Sequence, residues 1–247
     1  MLSPQFSSDL ISPLSLRARG NRSSQFFDRA ASLLANQLEL DTLQALNSSE
    51  KAALQRSEWI DQKVLSFLQK HPNALGVELN AGVSTRFHRL SSTLDWPQFR
   101  WADINTPETH AFSQSLLPIT DNYRSIGCDM YRDDWLFRAG WQPGLPLIII
   151  TESHTDYSDL AQLITELSQR AAASGAAVMV VTTHQGNFAG LAQQLALFEL
   201  VEQCEFESTS LLAYLARIAA KLGLNLPVTQ WHAMHLELYA NDKAAQD

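Results

Sequence analysis

The stretch "LGVELNAGVSTRFHRL", from Leu75 to Leu90, decides the fold of this chain. It begins with an apolar run typical of a buried strand, continues through a turn of small residues, and ends with the apolar spacing of an amphipathic helix. The turn contains one glycine, Gly82, where nucleotide-binding turns usually contain several. We expect Asn80 to replace a glycine, because Asn tolerates a left-handed backbone better than most residues.

The segment after His71 alternates short apolar runs with helical stretches. The runs are "ALGVEL", "FRWAD", "YRSIGCD", "LPLIIITE" and "AAVMVVTTH". This alternation predicts β-α-β units, and therefore a parallel sheet with helices on both faces. "LPLIIITE" is apolar throughout, as expected of a central strand that is covered on both sides. The last run, "VTQWHAMHLELYA", is predicted to form an outer strand, antiparallel to the others.

The first 70 residues have a different, helical pattern. Residues 23–38 and 57–71 space their apolar side chains three and four apart, as helices with one buried face do. Ser48 or Ser49, just before Glu50, is a predicted helix start. We expect residues 1–70 to form a helical cap within the same domain as residues 71–247, which would contain the sheet.

Composition narrows the class of protein. A chain of 247 residues with 45% hydrophobic and 18% charged residues is typical of one globular domain. The net charge of −8 disfavours nucleic acid as the main partner and favours a small molecule or a protein. Neither a bilayer-spanning run nor a signal peptide is recognisable, so we expect a cytoplasmic protein without membrane contact.

Metal binding is not predicted. The two cysteines, Cys128 and Cys204, lack the clustered spacing of a zinc site and are expected to be free thiols. His232 and His235 are three residues apart on a predicted strand, so their side chains would face opposite sides of the sheet.

Acidic residues follow four of the predicted strands. Glu78, Asp103, Asp129 and Glu152 stand where those strands end. In open α/β sheets ligands bind beyond the carboxyl ends of the strands. The spacing from Gly82 to Asp103 is close to the roughly 20 residues at which an acid meets ribose hydroxyls in nucleotide-binding folds. A carboxylate suits that role because it can accept two hydrogen bonds from a vicinal diol.

A family resemblance joins these features. The chain resembles the leucine carboxyl methyltransferase family, in its bacterial tetracenomycin polyketide O-methyltransferase-like branch. The resemblance rests on the order of Arg56, "VELNAGVSTRFHRL", "WADINTPE", "SIGCDMYRDDWL" and "LIIITESHTDYSDLAQLI". The match covers roughly residues 15–185. The resemblance implies a Rossmann-like class I methyltransferase fold, with a mostly parallel seven-stranded sheet, helices on both faces and an N-terminal helical cap. It also implies methyl transfer from S-adenosylmethionine to a carboxylate or hydroxyl of a small molecule.

The resemblance further implies a cofactor site. Arg56 would bind the carboxylate of S-adenosylmethionine, Asp103 the ribose, and Asp129 would face the adenine. Glu152 would lie at the amino-acid end of the cofactor. The other implied contacts are Glu78, Asn80, Ala81, Gly82, Arg86, Ile104, Cys128 and Met130. From the residues alone, Arg56 could equally lie on a solvated helix face, and Arg86 could form a structural salt bridge to Asp103 or Glu78.

Other interpretations stay open. Asn80 and Ser84 stand where the family usually has Gly and Asp, which permits a catalytically inactive binding or interaction module. A nucleotide-dependent oxidoreductase is disfavoured, because its fingerprint needs three glycines. If the acceptor is a hydroxyl, His154, Tyr157 or His184 would serve as the base; a carboxylate acceptor needs none. The alternative is that His154 is only solvated in a polar loop and that His184 has a helix-capping or surface role.

Overall fold

The computed structural model describes residues 7–22, 26–132, 134–152, 158–185, 198–206 and 231–238. The strands are β1 (Leu75–Leu79), β2 (Arg100–Asn105), β3 (Tyr123–Gly127), β4 (Leu147–Thr151), β5 (Val178–Gln185), β6 (Glu199–Phe206) and β7 (Trp231–Leu238). The helices are α1 (Ser7–Arg22), α2 (Arg29–Gln37), α3 (Ser48–Lys70), α4 (Arg86–Thr93), α5 (Pro107–Leu116), α6 (Trp135–Arg138) and α7 (Ser158–Ala172).

The strands form one seven-stranded sheet in the order β3-β2-β1-β4-β5-β7-β6. Strands β1 to β5 are parallel, and β7 runs antiparallel to both β5 and β6. The predicted, mostly parallel α/β sheet is therefore confirmed. The antiparallel direction of the last strand is also confirmed, but its predicted outer position is wrong, because β6 lies outside it. The strand order reverses between β1 and β4, which places a ligand crevice at their carboxyl ends.

The sheet is buried on both faces. In β4, Leu147 and Ile149 pack into one apolar core while Ile148 and Ile150 pack into the other. Successive side chains of a strand point to opposite faces, so an uninterrupted apolar run supplies both cores. This confirms the central position predicted for "LPLIIITE".

The N-terminal helices share one of these two cores. Leu14 of α1, Leu34 of α2 and Ile60 of α3 belong to the same buried cluster as Ile148. Helix α3 begins at Ser48, one of the two predicted serines, and Asn47 and Glu50 form a reciprocal capping box around its first turn. The three helices are thereby anchored beside the carboxyl ends of β1 and β4.

Gly76 in β1 is required by close packing. A Cβ atom at this position would lie 2.2 Å from the indole ring of Trp101, which is 1% exposed on the neighbouring strand. We expect Gly76→Ala to lower the free energy of unfolding by about 1–3 kcal/mol, the usual cost of overpacking a core. Urea denaturation measures this, and a loss below about 0.5 kcal/mol would show that the indole can move aside.

Candidate functional site

The turn between β1 and α4 has a left-handed backbone at two positions. Asn80 has φ +50° and Gly82 has φ +63°. The expectation that Asn80 replaces a glycine conformationally is therefore confirmed. A Cβ atom on Gly82 would lie 3.6 Å from the Leu10 side chain of α1, so the turn faces that helix.

A cavity of about 510 Å³ lies between this turn and the N-terminal helices. Helix α1 forms one wall, α3 a second, and the carboxyl end of β1 the floor. The lining residues are Leu10, Ser12, Pro13, Leu16, Arg17, Ala53, Leu54, Arg56, Ser57, Glu78, Leu79, Asn80, Ala81, Gly82, Val83 and Glu152. Six of the predicted cofactor residues meet here: Arg56, Glu78, Asn80, Ala81, Gly82 and Glu152.

Arg56 and Glu152 are brought together although they are 96 residues apart in the chain. The Arg56 Nε lies 3.4 Å from Glu152 Oε1, and Arg56 is only 5% exposed. The alternative of a solvated helix residue is therefore wrong. The pair offers a guanidinium and a carboxylate to the same cavity.

Arg86, the first residue of α4, binds three carboxylates at once. Its guanidinium contacts Glu78, Asp61 and Glu152, the last two at 2.8 Å. Burial alone would lower the pKa of Arg86, but these carboxylates outweigh it and raise the pKa further above its usual value. With 1% exposure, Arg86 holds the acids of the site in place and does not itself line the cavity. The predicted cofactor contact is corrected, and the alternative salt bridge to Glu78 is confirmed.

The ion pairs of Arg86 belong to a larger network of buried ion pairs. Asp61 bridges Arg86 and Arg89, and Arg89 in turn binds Asp28 at 2.7 Å. Burial alone would raise the pKa of Asp61, but the two arginines hold it below its ordinary value. Among the described residues, this network joins four arginines to four carboxylates: Arg17, Arg56, Arg86 and Arg89 with Asp28, Asp61, Glu78 and Glu152.

Ser84 takes part in this network. Its hydroxyl donates to Glu78 Oε2 at 2.7 Å and accepts from the backbone N–H of Arg86 at 3.2 Å. A carboxylate at this position would instead face that of Glu78. Serine therefore suits the position it occupies, and its hydroxyl fixes the orientation of Glu78.

Asp103 is not in the cavity, and its predicted ribose contact is corrected. It lies in β2 opposite Glu78, one level below the end of β1, and is 1% exposed. One carboxylate oxygen accepts from Trp101 Nε1 at 3.0 Å and the other from the Tyr123 hydroxyl at 2.6 Å. Burial, followed by the negative charge of Glu78, raises the pKa of Asp103 well above its ordinary value.

Asn105 is the polar side chain at the end of β2, and the sequence analysis missed it. Its Oδ1 accepts from the backbone N–H of Gly82 at 2.8 Å, and its Nδ2 donates to the Gly82 carbonyl at 3.1 Å. The spacing to the following Pro and Glu offered a signal. Pro is common in the first turn of a helix, so Pro107 marks the start of α5 and leaves Asn105 as the polar residue where β2 must end.

The residues predicted to contact the cofactor at the ends of β2 and β3 do not line the cavity. Ile104, Cys128 and Met130 have buried side chains in the core on the other face of the sheet. Their contacts with a cofactor therefore stay a prediction, and the buried side chains leave the backbone as the part that a ligand would meet. Asp129 is exposed, accepts from the backbone N–H of Tyr131 at 3.0 Å, and lies 3.4 Å from Arg132.

The predicted acid–base residues lie at or beyond the limits of the described structure. His154 and Tyr157 fall outside the described residues, and for His184 the structure gives only its strand position opposite His232. Within the described ranges, no group of three or more His, Cys, Asp or Glu side chains could hold a metal ion. Cys128 and Cys204 form no disulfide with each other. Of the helices in the described part of the chain, none has the length and hydropathy to cross a bilayer.

Sequence comparison finds one curated relative at significant similarity. Over 153 residues the chain is 26% identical to the tetracenomycin polyketide synthesis O-methyltransferase of Streptomyces glaucescens. The match covers 60% of this chain and 54% of that protein, so the matched part spans about half of the relative's length. The predicted resemblance to the tetracenomycin polyketide O-methyltransferase is confirmed, and membership of the leucine carboxyl methyltransferase family stays a prediction. No family model matches the chain.

Solved structures confirm the fold. A proposed methyltransferase from Thermobifida fusca YX superposes with a TM-score of 0.52 at 13% identity, covering 90% of this chain and 94% of that one. A proposed sarcosine dimethylglycine methyltransferase from Galdieria sulphuraria gives a TM-score of 0.50 at 10% identity, with coverages of 92% and 98%. The chain has the Rossmann-like α/β fold of class I methyltransferases.

We expect Arg86→Met to lower the free energy of unfolding by about 3–5 kcal/mol, because it leaves buried Glu78 without a cation and takes one of two arginines from Asp61 and from Glu152. The matched control is Arg170→Met. Arg170 pairs with Asp134 at the surface, with 53% and 61% of the side chains exposed, so its loss should cost at most about 1 kcal/mol. Urea denaturation compares the two, and equal losses would contradict the central role of Arg86.

Asp103 should make stability depend on pH in a defined direction. Because its pKa is raised in the folded state, Asp103 binds more protons in the folded protein than in the unfolded chain above about pH 4, so its own contribution to stability falls as pH rises. We expect Asp103→Asn to gain stability relative to the wild type between about pH 4 and 7. Urea denaturation across this range tests it, with the exposed Asp134→Asn as control. If the difference in unfolding free energy between Asp103→Asn and the wild type does not change with pH, the raised pKa is contradicted.

Proposed function

We propose that this chain is an S-adenosylmethionine-dependent O-methyltransferase acting on a carboxylate or hydroxyl of a small molecule. The observation that carries the proposal is the cavity at the carboxyl end of β1, where the left-handed turn meets Arg56 and Glu152. The curated relative is itself an O-methyltransferase, which supports the reaction class. The acceptor is proposed only as a chemical class.

The charges in the cavity fit the amino-acid end of this cofactor. A zwitterion needs a cation for its carboxylate and an anion for its ammonium group. Arg56 offers the cation and Glu152 the anion at one place in the wall. Among the described residues, the buried Arg17 Nε in the same wall has no hydrogen-bond partner, although Asp28 lies 3.8 Å away.

The protein would contribute mainly alignment. S-adenosylmethionine supplies a methyl group on a positively charged sulfur, which is a good leaving group. Arg56 and Glu152 would fix one end of the cofactor, and Asn80 and Gly82 would let the backbone approach it closely. Proximity and orientation of the acceptor oxygen then supply most of the rate enhancement.

The acceptor decides whether a base is needed. A carboxylate acceptor is already deprotonated, whereas a hydroxyl must lose its proton during transfer. We propose His154, Tyr157 and His184, which follow β4 or lie in β5, as the residues that would take this proton. We also propose that residues 1–70 act as a cap over the site, as the α1 wall of the cavity suggests.

Calorimetric titration with S-adenosylhomocysteine tests this function. We expect a dissociation constant between about 1 µM and 1 mM, the range common for enzyme substrates. Arg56→Lys should weaken binding by about tenfold or more, because lysine keeps the charge but loses the planar fork that matches a carboxylate.

The matched control for this titration is Arg170→Lys at the surface, which should bind as the wild type does. An absence of binding by the wild-type protein at millimolar ligand would favour the inactive interaction module instead. Unchanged affinity in Arg56→Lys would remove Arg56 from the cofactor site.

A further inference from the structure

The amide of Asn105 clamps the turn between β1 and α4. Both halves of the side chain are engaged by one residue, since Gly82 donates its N–H to Oδ1 and accepts from Nδ2 through its carbonyl. Asn105 is 2% exposed, and its own carbonyl accepts from the backbone N–H of Cys128 at 2.9 Å. The clamp therefore ties together the ends of three neighbouring strands.

Strand register places Asn105, and not Asp103, beside the turn. Asp103 is opposite Glu78 and Ile104 is opposite Leu79, the last residue of β1. Asn105 is thus the first position of β2 beyond the end of β1, level with the turn that follows. Asp103 points to the same face of the sheet, but one pleat deeper, where Trp101 and Tyr123 surround it.

This location has a known use in nucleotide-binding α/β folds. An acid at the end of the second strand, about 20 residues after the glycine turn, binds the ribose hydroxyls. Asn105 follows Gly82 by 23 residues and contacts it directly. An amide has only one acceptor oxygen, whereas a carboxylate can accept from both hydroxyls of a diol. In this structure that single oxygen is already bound to Gly82.

We infer that Asn105 is the residue that faces the ribose of a bound nucleoside cofactor, and that its clamp on Gly82 weakens ribose recognition. This rests on the proposed function. The Asn105 oxygen already accepts from Gly82 and has one lone pair left, so it can accept from at most one of the two hydroxyls, and the site gains little from the diol. Affinity then comes mainly from the charged cavity around Arg56 and Glu152.

Asn105→Asp is the direct test. The new carboxylate keeps an acceptor for the Gly82 N–H, loses the bond to the Gly82 carbonyl, and offers a second oxygen to the diol. We expect it to bind S-adenosylhomocysteine at least about tenfold more tightly than the wild type, as expected for charge-assisted hydrogen bonds. Its preference for this ligand over the 2′,3′-dideoxy analogue should rise by a similar factor.

Three controls separate the possible causes. Asn105→Ala removes the clamp without adding an acceptor, so it should gain no preference for the diol. Asp103→Asn should bind within about twofold of the wild type, because Asp103 lies below the site. The wild type should bind S-adenosylhomocysteine and its dideoxy analogue within about threefold of each other, a measurement that needs no variant to fold.

The outcomes distinguish this inference from the proposed function. If the wild type binds but Asn105→Asp binds no more tightly, or if Asp103→Asn alone abolishes binding, the inference is overturned and the function stands. If only Asn105→Asp binds, the inference stands and the native chain is not a methyltransferase. If neither binds, both are overturned.

Discussion

The guanidinium of Arg86 is the contact on which the arrangement of the site depends. It joins Asp61 of α3, Glu78 of β1 and Glu152 after β4, so one side chain aligns a helix with two strand ends. Without it, three carboxylates would meet in a desolvated region and repel one another. Planar geometry with several donors makes arginine better suited than lysine to this role.

Forming this network requires the desolvation of eight charges, which costs free energy. The network therefore fixes the geometry of the site more than it stabilises the fold. Apolar replacements of buried ion pairs are often as stable as the pairs themselves. Here the network orients Glu152 beside Arg56 and holds Glu78 through Ser84. A pocket for a zwitterion needs fixed charges of both signs, which apolar packing could not supply.

The sheet was predictable from the sequence because burial on both faces produces apolar runs that are hard to mistake. The cavity residues Glu78, Gly82 and Glu152 were predictable from their places at strand ends and in the turn, whereas Arg56 was predicted only through the family resemblance. The buried position of Asp103 was not predictable. Asp103 and Asn105 are two apart on β2 and share a face of the sheet, so only the register with β1 shows which of them lies at the carboxyl end. For Arg86, spacing cannot tell a ligand contact from an ion pair.

The position of β7 has a consequence for the order in which the chain can fold. Within the described part of the sheet, β6 pairs only with β7, although β7 follows it in sequence. During synthesis, residues 199–206 must therefore wait for residues 231–238 before they gain a neighbour, while β5 presents an open edge. Every partner of Arg86 lies at or before Glu152. The nascent chain can thus assemble its charged centre before the far side of the sheet is complete.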